Sequence, residues 1–224
     1  AASGNNGTGV AGVSWGAQIM PLKVLNRFGS GSYANVAAGI LWAADHGAQV
    51  INLSLGGAAP SVTLQDAVLY AYNKGILLVA ASGNNGGAQV LYPARYPEVM
   101  AVGATNFSNQ PSSISNYGPE VDVAAPGENI YSLWPGGYFT QSGTSMSAPF
   151  VSGLAAILFS FTSNAGVVRN AIESTALDVG PLGWDLYSGA GLIQMDSAIA
   201  LMLPPATAAF TSVPRSDNGG AGAS

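Results

Sequence analysis

Three polar clusters in this chain hold residue types that could do chemistry: the serines of Gly143-Thr144-Ser145-Met146-Ser147-Ala148-Pro149, the pair Asn84-Asn85, and the loop Asn5-Asn6-Gly7-Thr8-Gly9. The serine segment leads into the apolar run Ser147–Phe161. Ser145 is therefore expected at a helix N-terminus, where free backbone N–H groups and the helix dipole favour negative charge. A nucleophilic hydroxyl there would find help for a developing oxyanion. Pro149 reads as a first-turn residue, where its missing N–H had no partner to lose. Read locally, however, Ser145 or Ser147 is equally a helix cap, and Asn84-Asn85-Gly86 is equally a turn. A side-chain amide such as that of Asn84 could stabilise an oxyanion without adding a competing acid or base. A serine hydroxyl also needs a base, commonly a histidine held by a carboxylate. The one histidine, His46, lies in WAADHGAQV before Gly47. That is a helix end, where an imidazolium favours the dipole, so His46 reads as structural or exposed.

The elements that must position these groups alternate. Tyr33–His46, Leu64–Lys74, Ser147–Phe161, Val167–Thr175 and Asp196–Met202 show helical apolar spacing. Gln18–Val24, Gln49–Leu53, Ile76–Ala81, Val99–Ala104 and Val121–Ala124 read as strands, although Pro21 weakens the first. Ile76–Ala81 is apolar throughout, as expected inside a parallel sheet. Strand–helix alternation implies βαβ units with helices on both faces. Functional groups then gather beyond the carboxyl ends of the strands, which points to Ser54–Gly57 and Ser82–Gly87. After Leu203 the chain turns Pro-, Gly- and Ser-rich. Residues 1–203 are expected to form one domain and residues 204–224 a linker or disordered tail, with a further C-terminal domain beyond it in a parent protein.

Composition narrows the function classes. Hydrophobic residues make up 48% of the 224 and charged ones 8%, so a core is expected and disorder is not. Six Lys+Arg against eleven Asp+Glu give a net charge of −5. No basic stripe for nucleic acid is present. There is no cysteine, hence no disulfide framework and no Cys-ligated metal. No apolar run reaches the roughly 18–20 residues of a membrane span.

Several segments together resemble the subtilisin-like family of serine peptidases. GTSMSAPFVSG is similar to its nucleophile signature, with Ser145 on the nucleophile and Phe150 where a histidine is more usual. LLVAASGNNG places Asn84 on the family's oxyanion-hole asparagine. VINLSLGG places Ser54-Leu55-Gly56 on one wall of the pocket for the residue before the scissile bond, and Ala81-Ser82-Gly83 matches the opposite wall. Leu91 falls near that pocket's base and implies a shortened apolar pocket. YPARYPEVMAVGAT, VDVAAPG and GAGLIQMDSAIA follow in family order. The resemblance implies a three-layer α/β/α fold with a mostly parallel sheet, lacking the first strands. It also implies endopeptidase cleavage of polypeptide substrates through an acyl-enzyme, and an extracellular location by family habit.

The same resemblance exposes what these 224 residues do not contain. In the family the order is Asp, His, Ser, and Ala1–Val10 is similar to the loop just after the catalytic histidine. His46, Asp45, Asp66, Asp122 and Asp178 match neither missing position. The expectation is an N-terminally truncated catalytic domain of a longer parent, inactive by itself, with an exposed sheet edge and poor folding in isolation. A non-catalytic peptide-binding relative is the alternative. No cofactor is required for the chemistry. The loop resembles half of a structural calcium site, with donors from Asn6 and from the carbonyls of Ser3, Thr8 and Val10. A weaker cation site is implied at the Ala94, Tyr96 and Val99 carbonyls.

Overall fold

The computed structural model describes residues 2 and 4–203. Ser3 and the tail at 204–224 lie outside the described residues.

Four strands build the central sheet: β1 (Val50–Leu53), β2 (Leu77–Ala81), β3 (Val99–Thr105) and β4 (Val121–Pro126). They lie side by side in chain order, and every pairing is parallel. Parallel neighbours need crossovers, and the first is α2 (Val62–Asn73), which joins β1 to β2. Before β1 comes α1 (Tyr33–Asp45). α1 and α2 pack on one face through Val36, Ile40, Leu64 and Val68, against Leu78, Ala80 and Ala101. The other face carries α3 (Thr144–Leu158), α4 (Ala165–Ser174) and α5 (Met195–Met202). There Val151, Leu154 and Leu158 meet Leu77, Val79, Met100 and Val102. Alternate residues of β2 thus serve two cores, and all five are buried. A continuous apolar run is what a strand covered on both faces requires. The architecture is three-layer α/β/α.

Local chemistry sets most helix starts. Ser32 and Ser61 accept the backbone N–H three residues on, and Asn164 accepts those of Gly166 and Val167. His46 is the C-cap of α1, and Gly47 follows at φ +82, the usual glycine stop.

Three sequence expectations change. Gln18–Val24 has no regular secondary structure, and among the described residues the sheet ends at β1. With no neighbour to pair with, an apolar segment with Ile19 at 66% exposure has no ladder to join. A hairpin that the pattern did not announce, β5 (Ile130–Trp134) and β6 (Gly137–Gln141), pairs only with itself. Finally, α3 starts at Thr144 rather than Ser147. Pro149 therefore lies in its second turn, not its first. An N–H there would have bonded the Ser145 carbonyl, so the proline leaves that acceptor free. The other bounds move by one to three residues. No described helix is long and apolar enough to cross a membrane.

Candidate functional site

The carboxyl ends of β1 and β2 open towards the first turn of α3. β1 runs into Ser54-Leu55-Gly56 and β2 into Ser82-Gly83-Asn84. Ser145, half-buried, occupies the second helical position of α3. Its Oγ donates to the Ser54 carbonyl at 3.4 Å, and the Ser54 hydroxyl donates to the Ser145 carbonyl at 2.9 Å. The second bond takes the acceptor that Pro149 freed.

Asn84 is the cap that α3 lacks locally. Gly143 at the N-cap has no side chain to offer, and its φ of +152 is one that other residues rarely adopt. Instead the Thr144 N–H donates to Asn84 Oδ1 at 2.7 Å, and the Thr144 hydroxyl lies 2.8 Å from the same oxygen. The Asn84 amide nitrogen takes no protein partner among the described residues. The whole amide lies against Gly143, its nitrogen 3.2 Å and its oxygen 3.3 Å from where a Cβ on that glycine would be. A neutral amide and the N-terminal turn of α3 are thus in contact, one residue before Ser145.

The two predicted walls lie on either side of Leu91. A Cβ on Gly56 would meet Leu91 Cβ at 2.9 Å, and one on Gly83 would meet Leu91 Cδ1 at 3.0 Å. Gly56 must therefore be glycine where the leucine wedges in, whereas Gly83 is closed chiefly by Asn116 Nδ2, 2.3 Å from such a Cβ, and by its φ of +120. Leu91 is tied to the second wall by its N–H, 2.9 Å from the Ser82 carbonyl. Ala81, Ser82 and Gly83 are all buried, and Ser82 Oγ donates to the Asn116 carbonyl at 3.0 Å.

Two site residues escaped the sequence reading. Thr144 also accepts the Gly83 N–H at 3.1 Å, joining the second wall to α3 as the Ser54–Ser145 bonds join the first. Asn116, 1% exposed, accepts the Asn85 N–H at 2.7 Å and donates to the Gln89 carbonyl at 2.7 Å, which shapes the loop carrying Asn84. Thr144 lies inside the quoted signature but its bonds are not announced there, and nothing local marks Asn116, because their partners are remote in sequence.

His46 lies at the opposite end of the sheet. It ends α1 just before β1 begins, whereas Ser54 follows the end of β1. Its ring stacks on Trp42 at 3.8 Å, and Nδ1 is 2.7 Å from the Trp42 carbonyl. Asp122 is held from Ser145 by its own partners: Oδ2 accepts the Ala101 N–H at 2.7 Å and Oδ1 meets Arg169 at 2.6 Å.

In the calcium-like loop, Asn6, Thr8 and Val10 line an open hollow of about 250 Å³. Asn6 Oδ1 already accepts the Thr8 N–H at 3.2 Å. No group of three or more His, Cys, Asp or Glu that could hold a metal occurs among the described residues. Calcium takes six to eight oxygens, usually with carboxylates, so the described donors fit part of a shell and do not complete one. The Tyr96 carbonyl of the second suggested site accepts the Val99 N–H at 3.0 Å.

A parallel α/β/α sheet with a serine at a helix start, beside a remote amide donor and a glycine-walled cleft, defines a class of serine hydrolase sites. The subtilase peptidase family model matches residues 1–191. The chain belongs to the subtilase family. It is 44% identical to subtilisin Savinase of Lederbergia lenta over 198 residues, 87% of this chain and 72% of that protein. It is 50% identical to thermitase of Thermoactinomyces vulgaris over 177 residues, 79% of this chain and 63% of that one. M-protease of Shouchella clausii is 44% identical, and the match spans 87% of this chain but 51% of the relative. The chain thus spans about half to three quarters of these relatives. The solved structure of the prenylagaramide maturation protease PagA superposes with a TM-score of 0.71 at 30% identity, covering 78% of this chain and 69% of that one.

Proposed function

We propose that Ser145 is the nucleophile of a serine endopeptidase that cleaves polypeptides through an acyl-enzyme. Asn84 and the Ser145 N–H would stabilise the oxyanion, and Ser54–Gly56 with Ala81–Gly83 would hold the substrate backbone and the residue before the scissile bond. The observation that supports this reading is the placement of the Asn84 amide against the start of α3, its oxygen occupied by Thr144 and its nitrogen without a protein partner among the described residues.

The nucleophile needs a base, and these residues offer none at the site. Ser145 Oγ rests against a backbone carbonyl, and the single histidine of the 224 residues is the distant His46. The chain alone is therefore expected to be inactive, with a histidine and an aspartate required from outside it. The peptide-binding reading keeps the same walls without chemistry, and Ser145's idle hydrogen bond is the observation in its favour. An extracellular setting follows the family's habit. Calcium at the Asn6–Val10 loop would need carboxylates from elsewhere.

A fluorophosphonate probe tests this. The 224-residue chain should remain unlabelled. The same chain mixed with a family segment carrying the aspartate and histidine should be labelled on Ser145 and on no other serine. Labelling of the chain alone would refute the missing base. No labelling after folded reconstitution would favour the binder.

A further inference from the structure

α3 and β1 share a second connection, two helical turns beyond the nucleophile position. The Ser152 hydroxyl on α3 donates to Asn52 Oδ1 at 2.9 Å. Asn52 Nδ2 donates to Ser54 Oγ at 3.0 Å, and Ser54 Oγ donates to the Ser145 carbonyl at 2.9 Å. Asn52 and Ser54 are two apart in an extended segment and so project to one side. Ser145 and Ser152 are seven apart on a helix and so share a face. The result is a closed clasp, strand to helix at both ends. All three bonds run head to tail, an arrangement in which each donor polarises the next. The clasp ends on the one carbonyl that Pro149 leaves open. Ser152 Oγ also lies 3.1 Å from the Ala148 carbonyl, the ordinary back-bond of a helical serine. Its single proton must choose between the two.

We propose that Asn52 is a positioning residue for Ser145, acting through Ser54. The inference rests on reading Ser145 as the reacting serine. Asn52 does not touch that serine. It orients the Ser54 hydroxyl, which holds the Ser145 carbonyl and so the pitch of the first turn of α3. That turn aims both the Ser145 side chain and its N–H. Every member of the clasp is neutral, so it holds the nucleophile at any pH at which the fold persists. Among the described residues β1 is an outer strand of the sheet, and Asn52 on it is exposed. A polar residue at an edge has an ordinary use in discouraging association, but that use does not require a bond to Ser54.

Amide exchange and the carbonyl carbon shift of Ser145, both read by NMR on the 224-residue chain, test the clasp without any catalysis. Asn52→Ala and Ser54→Ala should each move the Ser145 carbonyl shift. Each should also raise exchange at Met146 and Ser147 about tenfold, the worth of one hydrogen bond, with less than twofold change in α4 and β3. Ser54→Thr, which keeps the hydroxyl, should restore both readings. Three results would overturn the proposal. One is Asn52→Ala matching the wild type at Ser145 while Ser54→Ala does not. Another is a uniform rise in exchange across α3, α4 and β3. The third is an unprotected α3 in the wild type. Fluorophosphonate labelling reports separately on whether Ser145 is a nucleophile.

Discussion

Thr144 gives both of its donors to a single atom, Asn84 Oδ1, across sixty residues of chain. One amide therefore does two jobs on its two ends. The oxygen caps α3, and the nitrogen, without a partner among the described residues, is the donor that the proposed function would use. Two substitutions separate these jobs. Asn84→Asp keeps the cap, and a carboxylate at a helix start is favourable, so the unfolding midpoint should hold or rise. Asn84→Ala removes the cap and should cost about 1–2 kcal/mol in a denaturant titration. Both variants should lose roughly 10²–10³ in kcat once a base is supplied, the size known for the corresponding donor in subtilisin.

Leu91 should set the size of the cleft. It fills the space between Gly56 and Gly83, so Leu91→Gly should admit a larger side chain. Peptides ending in Phe should bind the variant about tenfold more tightly than the parent chain, by fluorescence anisotropy, since each methylene accommodated is worth on the order of 1 kcal/mol. Peptides ending in Ala should change little.

The Asp122 cluster predicts a pH dependence. Burial pushes the Asp122 carboxyl from 3.8 up to about 6, outweighing the attraction of Arg169 and the Ala101 N–H. The folded chain thus holds this proton more tightly than the unfolded one. The resulting stability is full below about pH 4 and is lost as pH rises through about 6. The difference in Tm between the wild type and Asp122→Asn should therefore fall between pH 4 and 7 and stay flat above. A difference that grows over that range would contradict the assignment.

Much of this architecture could be read from residue patterns, and the exceptions have physical causes. Strands β2 and β3 announced themselves because both of their faces are buried, which forces unbroken apolar runs. Gln18–Val24 carries apolar residues at Ile19, Met20, Leu22 and Val24 but has no neighbour to pair with, and a strand is a property of pairs. The β5–β6 hairpin was missed because four of the five residues on each strand are exposed, so no face had to be apolar. The turn Pro135-Gly136-Gly137 between the strand-favouring residues of IYSLW and GYFTQ was the signal available. At the site, Ser145 and Asn84 could be singled out by family resemblance. Asn116 could not, and Thr144 stood in the matched motif without its role being visible, because their partners lie about thirty and sixty residues away.

The Asn6–Val10 loop should bind calcium weakly by itself. Its described donors are neutral, and Asn6 Oδ1 is already engaged. Titration calorimetry of the chain with micromolar calcium should give no heat. Clear saturable binding would mean that the loop completes its shell without carboxylates.

Pro149 works as an insulator. Helix carbonyls are wired to the residue one turn ahead, and a proline cuts one such wire at a cost of some 3 kcal/mol in an ordinary helix. Here the cut end is the Ser145 carbonyl, and Ser54 is spliced onto it from the sheet. An alanine at 149 would improve the helix and reconnect that carbonyl to its own backbone. Ser54 would then compete for a terminal already in use, and the nucleophile turn would answer to the helix instead of to the strand that carries the substrate wall.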